Sequence, residues 1–204
     1  LRENIISLDL EPGAPFNDVE MSQMIGISRT PVREAVIQLS EESRIIEIFP
    51  QRGMRIALID VDLVEEARFL RLVLEKAAVE LVCGQADEED LRWLDENIRL
   101  QEFYLEGGSS RKLLELDNEM HRKLFSICRK ELTYEMCQRL AIHYDRIRSL
   151  SVATVKDHKI IEDHKKLLEA IRRRDKKQAA EIMELHLNRW MLNEQMFRNR
   201  YPAY

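Results

Sequence analysis

A chain of 204 residues, 45% hydrophobic and 34% charged, has material for one large core or two modest ones. Its net charge of −5 excludes a nucleic-acid coat protein. No apolar run reaches the roughly 18 residues that span a bilayer, and no secretory leader is apparent, so a cytoplasmic protein without membrane partners is expected.

Three cysteines, Cys83, Cys128 and Cys137, form no Cys-x-x-Cys pair and are odd in number. They suit buried reduced thiols better than a disulfide framework or a zinc knuckle. Pro12, Gly13, Pro15, Gly26, Pro31, Pro50 and Gly53 crowd the first quarter, while only Gly84, Gly107, Gly108 and Pro202 interrupt the rest. That asymmetry predicts a turn-rich N-terminal module followed by long helices. The chain opens inside an apparent helix, so a short piece is expected to precede Leu1. The first 58 residues carry six arginines against nine acids, a net of −3, so bulk charge does not announce DNA binding. Placement does more: Arg29, Arg33, Arg44, Arg52 and Arg55 fall in one segment.

In chain order, residues 18–25 predict a short helix, with Asn17 or Asp18 as N-cap and Val19, Met24 and Ile25 apolar. Gly26 supplies a turn. A second helix is expected from Ser28-Arg29-Thr30-Pro31, capped by either hydroxyl, with Pro31 in the first turn and Val32, Ala35 and Leu39 as its buried stripe. Arg29 and Arg33 are four apart and share a face beside that stripe. Residues 45–49 and 54–58 are β-branched-rich runs flanking Pro50-Gln51-Arg52-Gly53, a predicted hairpin. Helix, tight turn, helix and hairpin is the order of a winged helix-turn-helix. In that geometry Ser28, Arg29, Thr30 and Arg33 meet base edges or phosphates in the major groove of double-stranded DNA. Arg52 and Gly53 form a wing tip directed at the backbone or the minor groove.

Leu8-Asp9-Leu10-Glu11-Pro12-Gly13, then Met24-Ile25-Gly26-Ile27-Ser28-Arg29-Thr30-Pro31-Val32-Arg33-Glu34-Ala35, then Gln51-Arg52-Gly53, resemble the DNA-binding domain of the GntR family of bacterial regulators in order and spacing. The resemblance implies that Arg29 and Arg33 contact DNA and that Gly53 shapes the wing. Some members carry an arginine where this chain has Val19.

Beyond residue 60, apolar stripes at three- to four-residue spacing predict six amphipathic helices. They run through Leu63/Ala67/Leu70/Leu74/Ala77/Leu81, Leu91/Leu94/Ile98/Leu105 and Leu113/Leu116/Met120/Leu124/Ile127. The rest are Met136/Leu140/Tyr144/Ile147, Ile160/Leu167/Leu168/Ile171 and Ala179/Ile182/Met183/Leu187/Trp190. The expected architecture is therefore mainly α: a winged helix-turn-helix over residues 1–59, then an antiparallel helical bundle over residues 60–204.

Asp117 and His121 sit one turn apart at the edge of one stripe, and His164 and His186 fall within two others. A carboxylate and three imidazoles facing one core are costly unless something satisfies them. A divalent metal does so, with coordination positions left for water or a ligand. His143, at the edge of its stripe, is the candidate fifth member, and His158 projects outward.

Arg71-Leu72-Val73-Leu74-Glu75, Asp117-x-x-x-His121, Asp163-His164-Lys165-x-x-Leu168-x-Ala170-Ile171 and His186-Leu187 resemble the FCD ligand-binding domain that defines the FadR branch of GntR regulators. The resemblance implies that Asp117, His121, His164 and His186 bind a divalent ion, commonly zinc or nickel, and that a carboxylate effector completes its shell. Two features depart from many members: Met120 stands where a Phe precedes the second ligand, and residues 128–132 lack an Asn.

Arg71, and secondarily Arg146, are the arginines expected to pair with a small carboxylate or sugar-acid effector. A homodimer on a palindromic operator is expected, because one small reading head makes few contacts. The function that follows is a DNA-binding transcriptional regulator, most simply a repressor, and not an enzyme. The alternatives are a regulator for which the ion itself is the signal, a metal-dependent hydrolase and a di-iron bundle. The hydrolase lacks a His-Glu-x-x-His motif and an evident general base. The di-iron bundle needs Glu-x-x-His pairs, and none of the five histidines has a Glu three residues before it.

Overall fold

The computed structural model describes residues 1–154 and 158–189. The N-terminal module begins with α1 (Arg2–Ile6) and a two-residue strand β1 (Pro15–Phe16). Helix α2 (Asp18–Ile25) starts where the Asn17 side chain accepts from the Val19 N–H at 2.9 Å. It stops at Gly26, whose φ of +70° favours a residue without Cβ. Helix α3 (Arg29–Ser43) follows, with Ser28 extended at the N-cap position; neither expected hydroxyl cap forms there. Val32 and Val36 are its fully buried residues, whereas the expected Ala35 and Leu39 are only half-buried.

Strands β2 (Ile46–Phe49) and β3 (Gly53–Ile56) pair antiparallel, with Phe49 opposite Gly53. They are displaced by a residue or two from the predicted runs. Gln51 at φ +63° and Gly53 at φ +100° make the turn at the wing tip. The sheet has a third strand that the sequence reading did not supply: β1 pairs with the other edge of β3, giving the order β1-β3-β2. Pro15 sits in that edge strand, where its missing N–H costs little. Ile5, Val32, Val36, Ile45, Ile46 and Ile56 close the core of this module.

The second part is all helical. Asp60 caps α4 (Val61–Gln85) by accepting from the Asp62 and Leu63 N–H groups. Asp87 and Asp90 form a reciprocal capping box at the start of α5 (Glu88–Glu106). Next come α6 (Ser110–Ile127), α7 (Glu131–Leu140), α8 (Ile142–Thr154), α9 (His158–Arg172) and α10 (Lys176–Asn188). Among the described residues this makes seven helices rather than six, because the stripe from Met136 to Ile147 divides at Ala141. Trp190 lies outside the described residues.

Helix α4 is the pillar of the bundle, packing against α6, α8 and α10. The main core gathers Val79, Val82, Leu94, Ile98, Leu113, Leu124, Phe125, Leu168, Ile171 and Met183 from five helices. The three cysteines are buried free thiols, as expected. No helix among the described residues is long and apolar enough to cross a membrane.

Candidate metal centre and nucleic-acid interface

Helix α6 turns inward with Asp117 and His121 one turn apart, α9 brings His164, and α10 brings His186. One ligand atom from each of the four lies within 4.8 Å of all the others. The Nε2 atoms of His121 and His186 approach to 3.2 Å. His164 Nε2 is 3.4 Å from Asp117 Oδ1, and His121 Nε2 is 3.6 Å from Asp117 Oδ2. Asp117, His121 and His164 are buried and His186 half-buried. His164 Nε2 has no hydrogen-bond partner among the described residues.

Electrostatics keeps Asp117, His164 and His186 in metal-binding form. Burial holds the His164 imidazole down to about 4, against the pull of the Asp117 carboxylate, and burial pushes His186 well below the ordinary histidine value. Burial alone would raise the Asp117 carboxyl, but Arg148 and the three imidazoles outweigh it and hold it well below the usual range. At neutral pH the centre therefore offers an ionised carboxylate together with neutral His164 and His186. Three imidazole nitrogens and one carboxylate oxygen form a donor set that fits zinc or nickel and leaves positions for further oxygen ligands.

Two imidazoles have partners on their far sides. His121 Nδ1 faces Glu75 Oε2 at 2.5 Å, and His164 Nδ1 lies 2.8 Å from Gln101 Oε1. The buried Glu75 carboxyl is drawn down to about 2, because Arg71 and His121 overcome the effect of burial.

Beside the centre lies a cavity of about 60 Å³ whose polar lining includes Arg71, Asp117, Tyr144, Arg148, His186 and Arg189. Arg71 is 1% exposed. Its Nε donates to Glu75 Oε1 at 2.7 Å, and its guanidinium lies 5.0 Å from the Tyr144 ring centroid. Its Nη1 finds no partner among the described residues, leaving donor capacity next to the cavity.

Arg146, expected beside Arg71, lies elsewhere. It is fully buried at the other edge of α8, donating to Ala57 O at 2.7 Å and Leu58 O at 3.4 Å. His143 likewise lies apart from the four clustered side chains, and its Nδ1 accepts the Asp60 N–H at 3.0 Å.

The arginines that the sequence reading missed are Arg148 and Arg189. Arg148 pairs with Asp117, with Asp145 at 2.9 Å and with Asn118 at 2.8 Å. Arg189 pairs with Asp163 at 2.7 Å. Both were within reach of the periodicity: Arg148 is one turn beyond Tyr144, and Arg189 is three residues beyond His186. Gln101 was missed too, although a polar residue in the Leu94/Ile98/Leu105 stripe is the same kind of signal.

In the N-terminal module Ser28, Arg29, Thr30 and Arg33 are exposed at the start of α3, and Arg52 and Gly53 are exposed at the wing tip. Arg29 remains 59% exposed even with Asp18 3.4 Å from its guanidinium. These groups are therefore accessible to a nucleic-acid partner.

A winged helix-turn-helix followed by an effector-type helical bundle defines a transcriptional regulator rather than an enzyme. The FCD domain family matches residues 66–189, and the family described as bacterial regulatory proteins, gntR family, matches residues 1–56. The chain belongs to the FCD-domain regulators, with a GntR-type DNA-binding domain ahead of the FCD domain. It is 29% identical over 188 residues to the HTH-type transcriptional repressor RspR of Escherichia coli (strain K12), covering 92% of this chain and 82% of that protein. It is 26% identical over 194 residues to the HTH-type transcriptional regulator YdhC of Bacillus subtilis (strain 168), covering 92% and 84%. Among solved structures, E. coli McbR/YncC shares the fold, with a TM-score of 0.81 at 20% identity over 98% of this chain and 94% of that one.

Proposed function

We propose that this chain is a sequence-specific repressor of the FadR branch, whose grip on DNA is set by a small carboxylate or sugar acid bound at a divalent metal. The observation that carries this reading is the convergence of Asp117, His121, His164 and His186 in the core, beside a cavity bordered by three arginines. When bound, a zinc or nickel ion acts as a Lewis acid that favours anionic oxygen donors. Arg71 offers its unpaired Nη1 to the carboxylate, and the Tyr144 ring fixes the plane of the guanidinium. Arg148 already spans Asp117 and Asp145 and helps to hold the wall of the site.

The reading head, residues 1–59, engages a palindromic double-stranded operator as a homodimer through residues 60–204. In this reading Ser28, Arg29, Thr30 and Arg33 face base edges or phosphates, and Arg52 and Gly53 approach the backbone or minor groove. The effector acts by preferring one arrangement of the two heads over the other.

The test is elemental analysis of the purified protein alongside His164→Ala and His186→Ala, followed by DNA-binding titrations with a panel of small carboxylates. About one ion per chain is expected in the wild type, lost in both variants, with carboxylate-dependent DNA release only in the loaded protein. No metal after reconstitution would remove the four-residue site. Release by the ion alone, insensitive to every carboxylate, would replace the metabolite with the metal as the signal.

A further inference from the structure

The interior of α5 is polar where it passes the centre. Asn97 is buried and Gln101 is 0% exposed, although both lie on the face that carries Leu94, Ile98 and Leu105 into the core. Burying two amides is unfavourable unless each polar atom has a partner, and here the partners form one directed chain. Asn97 Nδ2 donates to the Leu116 carbonyl at 3.1 Å, and Asn97 Oδ1 accepts from Gln101 Nε2 at 2.7 Å. Gln101 Nε2 also points at Met120 Sδ, 3.8 Å away, and Gln101 Oε1 faces His164 Nδ1 at 2.8 Å.

The direction of this chain is not free. A backbone carbonyl can only accept, so Asn97 must present its NH₂ to Leu116 and its oxygen to Gln101. Gln101 must then turn its NH₂ toward Asn97, where a thioether, itself a weak acceptor, lies within reach of the same group. The Gln101 oxygen is left for His164. An oxygen that only accepts requires a proton on His164 Nδ1, which puts the lone pair on Nε2, the nitrogen 3.4 Å from Asp117. The opposite tautomer would set two acceptors 2.8 Å apart, a closer conflict than the 3.4 Å between His164 Nε2 and Asp117, whose carboxylate already has Arg148 as a partner.

We propose that Gln101, aligned by Asn97 and Met120, is the positioning residue that selects the metal-ready tautomer of His164. It acts through the imidazole and touches neither ion nor effector. The inference rests on the metal reading for its purpose, but the tautomer exists in the metal-free chain and is measured there.

The experiment uses full-length ¹⁵N-labelled protein stripped of metal, with Gln101→Leu and Gln101→Glu as variants. Long-range ¹H–¹⁵N imidazole spectra report the His164 tautomer, assigned by comparison with His164→Ala, and zinc competition against a chromophoric chelator reports affinity. The wild type is expected to show a single Nδ1–H tautomer. Gln101→Leu, close in size but without an acceptor, should mix the tautomers and weaken zinc binding about 10- to 100-fold. Gln101→Glu, carrying its proton on the oxygen that faces Asn97 Oδ1, keeps the acceptor for His164 and should keep both the tautomer and an affinity above that of the Leu variant.

A purely structural role predicts the reverse order, because a buried carboxylate disturbs the core more than a leucine does. An Nε2–H tautomer in the wild type, or a Leu variant indistinguishable from it, would overturn the proposal. A wild type that holds the Nδ1–H tautomer yet takes up no zinc would support the role of Gln101 and remove the metal reading instead.

Discussion

His143 accepts the Asp60 N–H while only 2% exposed, so its imidazole must stay neutral for the fold to keep that bond. Burial, reinforced by Arg146 nearby, lowers it from 6.5 to about 4. The depressed value fixes the sign. Above pH 6.5 the group is neutral whether the chain is folded or not, and its contribution is fully present. As pH falls through the window from 6.5 to 4, the unfolded chain takes the proton first and stability is lost. A shift of this size corresponds to about 3 kcal/mol over that window. Urea midpoints of the wild type and His143→Gln, measured across the window, should differ most near pH 7 and converge by pH 4. Parallel curves would mean that His143 carries no such load. The sequence placed His143 at the edge of a stripe but gave no means of seeing that its partner, the Asp60 amide, lies 83 residues away.

At the level of elements, α8 links the two parts of the chain. Ile142 packs into the core of the N-terminal module, and Arg146 binds the carbonyls of Ala57 and Leu58 ahead of α4. On the same helix Tyr144 and Arg148 line the cavity. Arg146→Gln should leave metal content unchanged, since the side chain touches no ligand. Loss of its bonds to buried carbonyls should cost about 1–3 kcal/mol of stability. It should also shrink the change in DNA affinity that a carboxylate produces, read by fluorescence anisotropy on a labelled operator. Full coupling in a correctly folded Arg146→Gln variant would show that α8 does not carry it.

Helix positions were largely legible in the sequence, but this junction was not. The spacing of Met136, Leu140, Tyr144 and Ile147 reads as one helix, yet the chain breaks at Ala141 without a glycine or proline to mark the place. Met136 and Leu140 end up exposed while Tyr144 and Ile147 turn inward. A two-residue strand such as β1 is too short for any periodicity to reveal. In α4 the predicted stripe leaves the buried face at its C-terminal end, where Ala77 and Leu81 are exposed and Ala78, Val79 and Val82 turn inward, while Arg71 and Glu75 share that inner face nearer the centre. Two charged residues on an otherwise apolar inner face are not separable by spacing from residues on an exposed one. The four candidate ligands were found because they interrupt otherwise apolar stripes. Arg148 was missed because an arginine one turn from a tyrosine on a helix edge resembles any exposed ion pair.

For the molecule as a whole, the charges around the centre suggest an order of events. Arg71, Arg148 and Arg189 stand against Glu75, Asp117, Asp145 and Asp163, so the carboxylates outnumber the guanidiniums by one, with His121 Nδ1 set against Glu75 and neutral His164 and His186 beside Asp117. An incoming anion meets this excess of negative charge in a region where water screens poorly. A divalent cation adds positive charge at the centre, which a carboxylate can then neutralise. Metal should therefore bind first, and the anion should bind only to the loaded protein. Thermal unfolding tests the sequence of binding directly. A ligand that binds only the native state at about a thousandfold above its Kd contributes about 4 kcal/mol, and for a chain of this length that raises the midpoint by roughly 10 °C. Zinc alone should give a shift of that order, gluconate alone none, and the two together a further rise that Asp117→Asn abolishes. Gluconate stabilising the chelated protein as strongly as the zinc-loaded one would show that the arginines suffice and that the ion plays no part in binding the anion.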